Sequence, residues 1–118
     1  MSTLNVSNIT DGTTSVGTSY VVNGSAKAWV NFNGTGTIAA RDSFNVASLT
    51  DNGTGQYQVD YTNSFTNVGY SVSGVASGGL TDIGGSVTSS VTGRRCYTDT
   101  GALTDPTFYC HSAHGDLA

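Results

Sequence analysis

The run from Asp51 to Thr62, DNGTGQYQVDYT, holds the tightest structural constraint in the chain. A turn built from Asn and Gly, which tolerate positive φ, leads into a strict alternation. Tyr57, Val59 and Tyr61 fall on one face, and Gln56, Gln58 and Asp60 on the other. A period of two next to such a turn specifies a β-hairpin with one buried face. The same grammar precedes it. Ala26 to Asn33 puts Ala28, Val30 and Phe32 on one face and Lys27, Trp29 and Asn31 on the other, and Asn33-Gly34-Thr35-Gly36 then turns the chain back.

Extending this reading predicts a return strand at Thr37 to Ala40, a further alternation through Phe44, Val46 and Ser48, and a strand from Gly69 to Ala76. Gly78-Gly79 and Gly84-Gly85 bracket what reads as a flexible connection. Two last strands are expected at Ser86 to Thr98 and Thr107 to Ala113, joined by a loop centred on Gly101 to Pro106. The expectation is an all-β fold of six to eight short antiparallel strands, a β-sandwich or jelly-roll-like pair of sheets over residues 20–118. Residues 1–19 lack sustained periodicity and read as an extended N-terminal arm or attachment segment. Leu4, Val6 and Ile9 are its candidate anchoring side chains.

Composition supports this class and narrows function. Glu is absent, and Gly and the small polar residues dominate, so long helices are not expected. The net charge of −4 repels a phosphate backbone, which argues against nucleic-acid binding. No apolar run approaches the roughly 20 residues that a membrane-spanning helix needs, and the N-terminus has no basic and apolar leader pattern. Neither membrane insertion nor signal-directed export is expected.

Candidate chemistry is sparse. The eight Asp sit mostly in turn settings, as at Asp11, Asp51, Asp82, Asp99 and Asp105, where a carboxylate accepts backbone hydrogen bonds. There is no GxSxG elbow, so a catalytic site is not expected. Two cysteines fall short of a zinc ligand set, and His111 and His114, three apart on a strand, point to opposite faces, so neither a metal nor another cofactor is expected. If residues whose numbers sum to 206 face each other across a final hairpin, Cys96 and Cys110 are neighbours and a disulfide is geometrically open; two reduced thiols are the alternative. Arg94 and Arg95 face opposite ways. Trp29, Tyr97 and Tyr109 are the candidate aromatics for a subunit interface or a ligand, with core packing as the competing role. The Asn-X-Ser/Thr triplets at Asn5, Asn8, Asn23, Asn33 and Asn52 are chance matches in a chain of this composition.

The sequence KAWVNFNGTGT, the SFNV strand, the DNGTG turn and the QYQVDYT strand together resemble a module of tail-fibre and other virion proteins of tailed bacteriophages. The likeness spans about half the chain, from near Val22 to Tyr70, with a GDLA finish at the C-terminus. It implies a non-enzymatic virion component, homotrimeric, that contacts other tail or capsid proteins and meets the host surface, including a host glycan. Assembly in a reducing cytoplasm would then keep the thiols free. Two other roles stay open: a capsid decoration (cement) protein that stabilises the head, and a glycan-binding lectin.

Overall fold

The computed structural model describes Met1–Ala118. Its body is a β-sandwich of two four-stranded antiparallel sheets. Strands β1 (Asn8–Thr10) and β2 (Ser15–Gly17) and helix α1 (Thr18–Gly24) lead into it. The body consists of β3 (Ala28–Asn33), β4 (Ala39–Phe44), β5 (Val46–Gly53), β6 (Gln56–Tyr61), β7 (Ser71–Ala76), β8 (Leu80–Thr88), β9 (Val91–Tyr97) and β10 (Tyr109–His114). One sheet has the order β4-β3-β10-β7 and the other β5-β6-β9-β8. The chain therefore changes sheets after β4, β6, β7 and β9.

The DNGTG turn closes β5 on β6, with Gly55 at φ 63° where a side chain would be strained. As the alternation requires, Tyr57, Val59 and Tyr61 are buried, and Ala28, Val30 and Phe32 face them from the other sheet. The centre is aromatic: Phe32 stacks on Tyr109 with centroids 5.0 Å apart, and Tyr57 meets Phe32 edge-on at 5.2 Å. A second group of Tyr61, Phe65 and Tyr70 closes one end. Fully burying each such side chain contributes about 1.5–3 kcal/mol, so the core rests on the two central strands of each sheet.

Several boundaries differ from the sequence reading. The return strand runs Ala39–Phe44, and Phe44 and Val46 belong to different sheets because Asn45, at φ 55°, turns the chain between them. Its side chain accepts from the Asn63 backbone N–H at 2.7 Å and donates to the Asn63 carbonyl at 3.1 Å, which holds the corner. The expected flexible connection between the glycine pairs is strand β8, whose ladder is interrupted between Ile83 and Val87 where Gly84-Gly85 bulges out. The long strand expected from Ser86 to Thr98 is two, parted at Ser89-Ser90.

The N-terminal segment is a small hairpin and one short helix, not simply extended chain. Thr18 ties its two sides together, donating its hydroxyl to the Val6 carbonyl at 2.9 Å. None of residues 1–24 is buried.

Candidate functional site

The inward faces of β9 and β10 carry the unusual chemistry. Thr92, Arg94 and Cys96 alternate inward from β9, and Tyr109, His111 and Ala113 from β10. Thr92, Arg94 and His111 are the buried polar side chains, so the interior holds a guanidinium and an imidazole without a buried carboxylate. Arg94 Nε donates to the Tyr109 hydroxyl at 3.0 Å, and that hydroxyl donates to the Arg95 carbonyl at 3.1 Å. His111 Nε2 meets the Tyr61 hydroxyl at 2.9 Å, and Tyr61 continues to Thr92 at 2.7 Å. His111 Nδ1 has no partner. Burial, aided by the nearby Arg94 charge, holds His111 at a pKa of about 3, so it is neutral. Burial also pushes the Tyr61 and Tyr109 phenols upward. This network spans the two sheets and specifies their alignment.

Three of the five carboxylates read as turn residues accept backbone N–H groups, whereas Asp82 lies within β8 in register with Arg95 rather than in a turn. Asp11 accepts from Thr13 and Thr14, Asp51 from Gly53, and Asp105 from the Gly55 N–H at 2.7 Å and the Tyr57 hydroxyl at 2.8 Å. No three His, Cys, Asp or Glu side chains gather where they could share a metal ion.

The accessible candidate lies on the outward face of the first sheet. Strand register places Phe44, Trp29, Ser112 and Ser73 in one row across it, and Asp42, Asn31, Cys110 and Val75 in the next. Large side chains flank small ones, so a groove of about 400 Å³ opens between Trp29 and Val75. Its floor includes Ser112 and Cys110, and Ser73 and Ser112 share a hydroxyl hydrogen bond at 2.9 Å. Trp29 is 38% exposed and Val75 69%. The opposite sheet shows a more polar outward face, with Gln56 and Asp82 in register with Arg95, and Gln58 with Gly93.

The candidates from sequence separate accordingly. Trp29 is on the exposed groove. Tyr97 is half-buried, near Arg95, whose guanidinium reaches its hydroxyl at 3.4 Å. Tyr109 is completely buried in the aromatic core and is neither an interface nor a ligand aromatic. Leu4, Val6 and Ile9 are exposed and share a cleft with Val21 and Val22 of α1. The cross-strand disulfide is overturned: β9 and β10 are in different sheets, Cys96 faces inward while Cys110 faces the groove, and both thiols are free. His111 is a core residue, not a surface or interface one. The alternation in YCHSAH already set His111 on the face of Tyr109 and Ala113; the groove residues on β7 and β10 had no such signal.

No family model, curated protein or solved structure matches this chain.

Proposed function

We propose that this protein is a non-enzymatic, fibre-like structural component of a tailed-phage virion, joined as a homotrimer through its N-terminal segment. The observation that carries the proposal is the contrast between body and arm. The sandwich has a complete core of its own, whereas residues 1–24 bury nothing and expose Leu4, Ile9, Tyr20, Val21 and Val22. A two-stranded ribbon of three-residue strands and a seven-residue helix are each too short to persist alone in water. Leu4, Val6, Ile9, Val21 and Val22 border a cleft of about 450 Å³, and the equivalent arms of two further copies are its proposed occupants. The likeness of KAWVNFNGTGT to fibre modules supports the virion setting.

Sedimentation tests the oligomer. The full chain is expected at three times 12.1 kDa, and the V21D/V22D variant as a folded monomer. A wild-type monomer at micromolar concentration would overturn the arm-mediated trimer. Antibody labelling and copy counting in purified particles test the setting. A few to some tens of copies at the tail fit a fibre component, and hundreds across the head replace that reading with capsid decoration.

A further inference from the structure

We propose that the groove beside Trp29 binds a neutral sugar, with one pyranose ring laid on the indole and its hydroxyls held by Asn31, Ser73 and Ser112. This site stands apart from the arm, so either proposal can fail alone.

The groove exists because β10 and β7 place Ser112, Cys110 and Ser73 between two large side chains, Trp29 and Val75. Its lining carries no charged side chain, and His111, whose ring is bonded to Tyr61 on the other side of the sheet, is neutral. A charged ligand therefore finds no counter-ion there, and the chain's net charge of −4 opposes an anion further. A wholly apolar ligand would strip water from the Asn31 amide without replacing its hydrogen bonds, at about 1–3 kcal/mol, and would leave the Ser73 and Ser112 hydroxyls bonded only to each other. A second copy laid flat over this face would also bury Asp42, which stands in register with Asn31. The available cation nearby is already engaged: Arg41 donates to Asn31 Oδ1 at 3.3 Å and to the Thr107 carbonyl at 2.8 Å, and lies over the Phe108 ring.

A pyranose satisfies both parts of the lining. Its axial C–H face is apolar and matches an exposed aromatic plane, and its rim hydroxyls both donate and accept. Arg41 occupies Asn31 Oδ1, which leaves the Asn31 amide N–H groups to donate outward. The hydroxyls of Ser73 and Ser112 act in either direction. A volume of about 400 Å³ suits one or two sugar rings.

Trp29 is the single tryptophan, so its fluorescence reports this groove alone. The full chain is titrated with maltotriose, cellotriose, lactose, N-acetyllactosamine and 3′-sialyllactose, with acrylamide quenching measured at each step. At least one neutral sugar is expected to shift the emission saturably, with a dissociation constant on the order of 0.1–1 mM for so open a site, and to shield Trp29 from acrylamide. Sialylation is expected to weaken the lactose response. S73L fills the groove from an exposed edge-strand position while keeping the reporter, and is expected to weaken binding at least about tenfold. Its urea midpoint, compared with that of wild type, shows that the fold is retained. No saturable response to any neutral sugar up to about 10 mM would overturn the proposal. So would a response that survives S73L, or emission that changes on dilution without sugar, which would mark the groove as a contact between copies.

Discussion

Acidification from pH 7.5 to pH 5 is expected to destabilise this protein through one residue, His111. In the folded chain its pKa is about 3, against 6.5 for a free imidazole, because burial excludes the charged form and Arg94 repels it. A depressed folded value means that the unfolded chain takes up the proton first. The stabilisation is complete above 6.5 and is lost as pH falls from there toward 3. At pH 5 the gap from 6.5 is about 1.5 units, which at 1.36 kcal/mol per unit is about 2 kcal/mol. With a urea slope of about 1–2 kcal/mol per molar, the midpoint should drop by about 1–2 M. The assay is urea unfolding, followed by far-UV circular dichroism, at half-unit steps between these limits. The H111Q variant is expected to start less stable, having lost the fit to Tyr61, and to lose the pH slope that His111 contributes over the same range. Equal wild-type midpoints at pH 7.5 and pH 5, or the same slope in H111Q, would refute the assignment.

Three further outcomes follow from the geometry. Gly93→Ala should fail to fold or lose more than about 3 kcal/mol, since its Cβ would collide with the Gly84 backbone carbonyl, whereas the atoms nearest a Cβ at Gly84 belong to the movable Arg95 side chain, so Gly84→Ala should cost less; urea midpoints compare them. Asp105→Ala removes the acceptor of the Gly55 N–H and the nearer of two acceptors of the buried Tyr57 hydroxyl, which keeps the Gly34 carbonyl at 3.2 Å, and should cost about 1–3 kcal/mol, with Asp105→Asn intermediate, by the same measurement. Under native conditions a thiol reagent should label Cys110 readily and Cys96 only on unfolding, because Cys96 is buried and burial pushes its pKa up. Mass spectrometry after alkylation in denaturant should count two modified thiols, and an unreactive pair linked by a disulfide would contradict the strand assignment.

The parts of the fold legible in the sequence are those fixed by neighbours along the chain. The alternations at Ala28-Val30-Phe32 and Tyr57-Val59-Tyr61 name the buried faces of β3 and β6, and the DNGTG turn joins β5 to β6. These follow from the two-residue period of a strand and the φ angles open to Asn and Gly, both local properties. Local periodicity does not decide which strands become neighbours. A Cys96–Cys110 disulfide is open only if consecutive strands are adjacent, yet the chain crosses between sheets after β9, and β10 enters between β3 and β7.

Tertiary structure alone decided what each face meets. Trp29 and Phe32 lie on opposite faces of one strand, both large and apolar, and only the position of the second sheet makes Phe32 core and leaves Trp29 exposed. The groove needs side chains from β3, β7 and β10, separated by tens of residues, to fall in register. Arg94, unremarkable as half of a basic pair, becomes an internal guanidinium because its strand is central and its inward position faces Tyr109. Period two assigns each side chain to a face of its own strand; which strands pair, and which face another sheet covers, depends on burying the whole set of apolar faces at once.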